Sequence, residues 1–311
     1  MTPELVLRPL ADATELPLFL SLPYVLDHEL ADDLAAGRRR PEWMWVALRA
    51  GRVVARLAFW SQPGAVAPES FDFFDLDGAD PDRVATGATL LSVAWAAVLP
   101  EGTTPPDFIR FLPPDWRDEP AIRRATDDLL GVLTAAGAEL FVERLRLEWL
   151  PGTPVPEPSG RLEFTPVAGK DELVELMARV LDGTLDAYSR ADLESMTPAE
   201  SAAAQFDEEF AHFRSPRDWW RIGRLPGGEP VGFVVPARNN YNPIIAYVGV
   251  LPEHRGHGYI ADLLAEGTRI LAGQDVPRIR AATDLGNAPM AAAFARAGYR
   301  TFERSVVLRW R

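Results

Sequence analysis

An apolar run from Ile244 to Leu251, rich in β-branched residues, stops at Pro252 and gives way to Arg255-Gly256-His257-Gly258 and then an amphipathic stretch from Tyr259. That order fixes a strand, a glycine-rich loop and a helix in succession. The near-continuous apolar character of Ile244–Val250 predicts a strand buried on both faces. Pro252 has no N–H to give a ladder, so the strand ends there. Gly256 and Gly258 lack a Cβ and so tolerate positive φ and a close approach to the main chain. Ile260, Leu263, Leu264, Ile270 and Leu271, with the small Gly267, form the single buried stripe of a helix. The free N–H groups and dipole of that helix point into the loop, an arrangement suited to a diphosphate. Two other readings of the same residues stay open. One is a plain strand-to-helix turn that needs glycine. The other takes Gly256 to Ala261 as Gly-x-Gly-x-x-Ala, a dinucleotide fingerprint. That fingerprint belongs at the start of a long βαβ series, and little chain follows it here.

Downstream, Arg278–Thr283 reads as a second strand and Asp284-Leu285-Gly286-Asn287 as a turn. Ala288–Ala297 reads as a short helix that accepts Pro289 in its first turn. Gly298-Tyr299 closes the helix, and Tyr299–Trp310 reads as a last strand. Asn287 stands where a helix N-cap is needed.

The loop and this order together resemble the GNAT N-acetyltransferase superfamily. Its signature, Arg/Gln-x-x-Gly-x-Gly/Ala after a strand, is met at Arg255 and Gly258. The family places acyl-CoA on this loop, so the resemblance implies acetyl-CoA or another acyl-CoA as the second substrate. It implies that Val248, Gly249 and Val250 hold the pantetheine arm and thioester oxygen through the main chain. Arg255, Gly256, His257, Gly258, Tyr259 and Ile260 would hold the diphosphate, and Asn287 would steady the pantetheine, a role compatible with its N-cap role. The implied reaction is direct acyl transfer to an amine without a covalent enzyme intermediate.

The sequence departs from the family at three places. Ile260 stands where the signature has Gly or Ala. Phe294 stands where many members carry the tyrosine that protonates the leaving thiolate, and Tyr299 falls at a position that packs in the core. Ile244, Ile245 and Ala246 are apolar where some members carry a glutamate base. Glu253, His254 and Tyr241 are the remaining catalytic candidates by residue type. His212 and the Asp207-Glu208-Glu209 cluster, on an expected helix, are candidates for an acceptor groove, as are Asp182–Asp192 with Tyr188, and Asn239–Tyr241. Each of these is equally a solvated face or loop. The departures keep a second function in view, a non-catalytic protein that binds or senses acyl-CoA.

The chain of 311 residues carries a net charge of −13 and no cysteine. The charge argues against a broad nucleic-acid surface. It suits a cationic small-molecule amine or peptide acceptor. The missing cysteine excludes disulfides and thiolate ligands, and four scattered histidines give no metal site. No stretch approaches a membrane span, and Met1–Leu5 opens without a basic region and apolar core. A cytoplasmic location is expected.

Pro151–Gly160, with four prolines and two glycines, reads as an extended connector. On either side the elements recur in one order. Leu5–Leu10 and Leu162–Val167 open the halves, and a helix is expected near Glu172–Leu181. Hairpins follow at Trp43–Phe59 and Trp220–Val235. Strands Phe71–Leu76 and Ile244–Val250 come next, then helices Ala88–Val98 and Ala261–Ala272. After Phe71–Leu76 the loop is Asp77-Gly78-Ala79-Asp80-Pro81-Asp82-Arg83, whose carboxylates would repel a diphosphate. Residues 1–150 hold 14 basic against 24 acidic side chains, a net −10, and the remainder 18 against 21, a net −3. The expected architecture is α/β (mixed α+β): two tandem GNAT-like domains, each with a central mixed, mostly antiparallel sheet flanked by helices. The first, 1–150, is degenerate and lacks the loop. Residues 151–160 link it to an acyl-CoA-binding domain at 161–311, in the manner of mycothiol synthase-like proteins.

Overall fold

The computed structural model describes residues 4–311; Met1–Pro3 lie outside the described residues. The chain divides into two compact units, residues 1–143 with 305–311 and residues 144–304.

The first unit opens with β1 (Leu5–Pro9), followed by the short helices α1 (Leu16–Phe19) and α2 (Leu30–Ala35). β2 (Met44–Arg49) and β3 (Arg52–Trp60) form an antiparallel hairpin. Its two turn residues, Ala50 and Gly51, both have positive φ, at 50° and 77°. That mirror-image turn matches strand twist. β4 (Ser70–Leu76) pairs antiparallel with β3, then α3 (Arg83–Val98), β5 (Asp107–Leu112) and α4 (Pro120–Ala135) follow. The core brings Phe59, Phe71, Phe74 and Phe108 together with Leu90 and Leu91 of α3 and Leu129 and Leu133 of α4.

Where β4 and β5 run parallel they share only two registered pairs, Ser70 with Asp107 and Phe71 with Phe108. Beyond them the space is filled by side chains. Tyr24 Oη accepts the Phe111 N–H at 2.8 Å, and the Arg110 guanidinium lies 3.9 Å from the Tyr24 ring centre. Asp75 lies 2.9 Å from Arg110 and 2.8 Å from the fully buried Arg56. The loop before α3 is closed on itself in the same way. Asp80 accepts from the Asp82 N–H at 3.1 Å and from Thr86 Oγ1 at 3.0 Å, while Asp77 accepts from the Ala79 N–H. Two of the main-chain N–H groups of this loop are thus taken up by its own carboxylates.

β6 (Glu139–Trp149) carries the chain into the second unit. Residues 151–160 have no helix or strand. β7 (Glu163–Pro166), α5 (Lys170–Val180), α6 (Ala187–Asp192), α7 (Pro198–Glu208), β8 (Arg221–Arg224) and β9 (Pro230–Arg238) lead to β10 (Pro243–Val250). α8 (Tyr259–Ala272), β11 (Ile279–Asp284) and α9 (Ala288–Arg296) follow, and β12 (Arg300–Arg309) begins in this unit and ends in the first. The strand order is β6-β11-β10-β9-β8-β7, antiparallel except between β10 and β11. Leu263, Leu264 and Leu271 of α8 pack on Val234 and Ile245 with Trp149 and Ile279. Gly267 allows that approach, since a Cβ there would lie 2.6 Å from Val234.

The sequence implied that β10 is buried on both faces. Its burial instead alternates, with Ile244, Ala246, Tyr247, Val248 and Val250 only partly covered. Ala246, Tyr247, Val248 and Val250 pack against the cores and also wall a cavity. Among the described residues, no helix is long and apolar enough to cross a membrane.

Candidate acyl-CoA and acceptor site

The cavity follows from how β10 is built. β10 and β11 share a single registered pair, Ile244 with Arg280, so beyond Ile244 the main chain of β10 has no ladder partner on that side. On its other edge, the register with β9 shifts between Ile245 and Tyr247, a bulge centred on Ala246 that bends the strand. The two parallel strands therefore splay apart. A cavity of about 870 Å³ opens there, with Tyr247, Val248 and Val250 on one strand and Ala282 and Thr283 on the other.

One end of the cavity is the glycine loop. Gly256 and Gly258 have φ of 82° and 78°, the left-handed region that glycine enters cheaply. Gly258 is the N-cap of α8 and has no side chain to cap with. Among the described residues, the N–H groups of Gly256, His257, Gly258, Tyr259 and Ile260 find no protein acceptor. This is a row of donors at the positive end of a helix. Gly249 brings the strand close to α5, a Cβ there meeting Val180 at 3.1 Å.

The side chain of Arg255 does other work. Its Nε reaches Val250 O at 3.2 Å, Nη1 reaches Asp182 O at 2.6 Å and Nη2 reaches Val180 O at 2.8 Å. It ties the end of β10 to the turn after α5. Arg161 braces the loop from outside, donating to His257 O at 3.0 Å and pairing with Asp262.

Val248, Gly249, Val250, Arg255, Gly256, Gly258, Tyr259, Ile260 and Asn287 all line the cavity; His257 does not. Asn287 caps α9, its Oδ1 accepting the Met290 N–H at 3.3 Å, and also borders the cavity. The catalytic candidates separate. His254 lines the cavity, with Nε2 3.2 Å from Glu229. Glu253 is outside it and pairs with Arg179; its own main-chain N–H first, and then Arg179, hold its carboxyl below the usual range. Tyr241 sits outside it, on the turn between β9 and β10. Phe294 is buried and touches the cavity; Tyr299 is buried edge-on against it, its hydroxyl 2.8 Å from Thr268 Oγ1. Burial pushes the Tyr299 phenol well up, so it keeps its proton.

The other end of the cavity comes from segments distant in sequence. α6 and the turn before it bring Leu185, Asp186, Tyr188 and Asp192; α7 brings Gln205, Glu208 and Glu209; β6 brings Arg144. Asp207 turns away to Lys170 at 2.6 Å, and His212 is not part of the lining. Burial pushes the Tyr247 phenol well up, and its ring stacks on Phe233. Burial also pushes the Glu209 carboxyl up, although its surface still opens on the cavity.

Comparison with known proteins agrees with this geometry. Residues 185–299 match the Acetyltransferase (GNAT) family. The chain has the fold of a GCN5-related N-acetyltransferase from Sphaerobacter thermophilus, with a TM-score of 0.60 and 16% identity over 99% of this chain and 96% of that one. It shares its fold also with a tandem GNAT protein from the clavulanic acid biosynthesis pathway, with a TM-score of 0.54 and 17% identity over 98% of both chains. A mycothiol acetyltransferase from Streptomyces bingchenggensis (strain BCW-1) is 37% identical over 86 residues, 27% of this chain and 28% of that protein. Residues 185–299 thus match the GNAT acetyltransferase family, and the chain shares the fold of a tandem GNAT protein.

Proposed function

We propose that this chain transfers an acyl group, most simply acetyl, from a coenzyme A thioester to an amine of a small molecule or peptide. The observation that carries this reading is the row of five unaccepted N–H groups from Gly256 to Ile260 beside the splay of β10 and β11. A diphosphate satisfies the first, and an extended pantetheine arm fits the second. The main chain of Val248 and the N–H of Val250 suit the arm and the thioester oxygen, since the Val250 carbonyl already accepts from Arg255. Asn287 would steady the arm from α9. The name of the Streptomyces relative supports acetyl as the group.

In this reading a neutral amine attacks the thioester carbonyl. The C–N bond forms, the C–S bond breaks and the electron pair leaves on sulfur. Phe294 has no proton to give, and Tyr299 is tied to Thr268. A thiol with a pKa of about 8.5 takes its proton from water at little cost. A cysteine-free chain has no disulfide to form, which supports work in the cytoplasm.

Titration calorimetry with acetyl-CoA, followed by a thiol-release assay over a panel of amines, tests the proposal. We expect affinity between about 1 µM and 1 mM, and thiol release with at least one acceptor. No affinity for acetyl-CoA or CoA overturns the site. Affinity without release on any acceptor overturns transfer and leaves an acyl-CoA sensor.

A further inference from the structure

We propose that Glu209 is the general base that takes a proton from the acceptor amine. The inference rests on the transfer reading above and names a residue of the same cavity.

An amine arrives mostly as its ammonium ion at neutral pH, so transfer needs a proton acceptor near the thioester carbonyl. Several other groups facing the cavity have partners elsewhere, although Glu208 of α7 lines it as Glu209 does. Asp186 caps α6, accepting from the Ser189 N–H at 2.9 Å and from Ser189 Oγ at 3.0 Å. Asp192 has a side-chain contact no shorter than that of Glu209, from Ser201 Oγ at 3.4 Å. His254 sits at the anion end beside Glu229, and Tyr247 is stacked in an aromatic cluster. Glu209 has one long contact, Gln205 Nε2 at 3.4 Å, and no cation within ion-pair distance among the described residues.

The main chain at Glu209 is anchored by its neighbours, while its side chain is exposed. It joins α7 to the short turn Phe210–His212, with Phe206 before it and Phe210 after it buried against Trp220. Phe210 also meets Tyr247 of β10 edge-on, with ring centres 6.2 Å apart. Two buried aromatic anchors thus hold the main chain of Glu209 beside the strand expected to hold the thioester. Gln205 faces it from its own helix, Arg144 from β6, Asp186 from the turn before α6 and Tyr247 from β10. Crowding and Asp186 raise its proton affinity, while Gln205 and Arg144 moderate the rise. A carboxyl raised in this way is a better base for an ammonium than an ordinary glutamate.

The step balances as follows. The ammonium gives one proton to the Glu209 carboxylate, and the freed nitrogen lone pair attacks the carbonyl carbon. As the C–S bond breaks, the second proton lost by nitrogen reaches the thiolate through water. Glu209 returns its proton to solvent, leaving an amide, a free thiol and one proton.

The test is Glu209→Gln in the full chain, followed by CoA release from acetyl-CoA with ethylenediamine, glucosamine, glycine amide and water alone as acceptors. We expect CoA affinity by calorimetry to stay within about threefold and kcat to fall about 100- to 10,000-fold. The wild-type kcat/KM should rise with pH through the carboxyl's midpoint, and the variant should lack that limb. Carbon-13 NMR of labelled glutamate in the free chain should place the Glu209 midpoint above ordinary glutamates. A kcat within threefold of wild type, a variant that changes only the acceptor KM, or an ordinary Glu209 midpoint each overturns the assignment. Wild-type protein that binds CoA but releases no thiol overturns both transfer and base; failure of CoA binding overturns the cofactor site itself.

Discussion

Gly258 shows what a single backbone angle contributes to the proposed anion site. Its φ of 78° lies in the left-handed region, where an L-residue costs about 1–2 kcal/mol. Space is not the constraint, since a Cβ there meets nothing nearer than Arg161 Nη2 at 3.9 Å. Gly258→Glu therefore adds strain and places a carboxylate beside donors meant for a diphosphate. Arg161 would offset part of that charge by pairing with the new side chain. We expect CoA affinity to fall at least about tenfold in a protein with an unchanged circular dichroism spectrum, and the loss to shrink at high salt as the charge is screened. Gly258→Ala separates the strain from the charge. Wild-type affinity in a folded Glu variant would sink the assignment of this loop. Both loop glycines were legible because positive φ is a local demand, written in local residue types. Arg255 was not: its guanidinium binds carbonyls of Val180 and Asp182, seventy-odd residues away, and no spacing rule connects them.

Among the elements, the acceptor wall depends on how α6 is held. Asp284, at the end of β11, accepts the Ala187 N–H at 2.6 Å and lies 2.9 Å from Arg144 Nε. Burial first, then Asp186, pushes its carboxyl up; the Ala187 N–H and Arg144 pull it partly back. The native chain thus holds this proton to higher pH than the unfolded chain, whose value is near 3.9. By linkage, the contribution of Asp284 to stability is greatest below that value and declines as pH rises through the native midpoint. Asp284→Asn keeps an acceptor for Ala187 and removes the charge, so it should cost little at neutral pH. Its stability relative to wild type should improve as pH rises across that window. Asp284→Ala orphans a buried N–H and should cost about 1–3 kcal/mol and raise the acceptor KM more than the CoA dissociation constant. Equal denaturation midpoints for Ala and wild type would refute the hydrogen-bond role. The hairpins, β10, α8 and α9 were readable because period, proline and glycine mark them locally. β5, α4 and β6 went unread. In β6, Glu-Arg-Leu-Arg-Leu-Glu mixes charge with leucine in a pattern that fits helix as well as strand. What fixes it as a strand lies far away: Glu148 meets Arg280 at 3.0 Å and Arg300 at 2.8 Å, and Arg146 meets Glu303.

At the scale of the whole molecule, chain order and compact unit part company at two strands. Residues 144–149 of β6 precede the proline-rich stretch yet belong with the second unit, and residues 305–311 end the chain yet belong with the first. In the second unit, β6 supplies β11 with six registered partners, from Trp149 opposite Ile279 to Arg144 opposite Asp284. Leu147 and Trp149 are also buried in its core with Ile279, Leu263 and Leu264. In the first, Val306, Leu308 and Trp310 pack with Phe71, Phe108 and Leu133, and Arg309 pairs with Asp107 at 2.8 Å. A fragment cut at the proline-rich stretch, 161–311, therefore loses the end strand of one unit's sheet and keeps a strand made for another core. Each buried leucine- or tryptophan-sized side chain lost is worth about 1.5–3 kcal/mol, and a freed strand edge templates association. We expect 161–311 to aggregate on expression or to show a molten near-ultraviolet spectrum, and a fragment begun at Arg144 to recover solubility in part. The glycine loop itself is complete in both fragments, so the comparison reads the framework and not the proposed site. A monomeric, cooperatively unfolding 161–311 with the CoA affinity of the full chain would show that β6 is dispensable and that the strand exchange has no energetic weight.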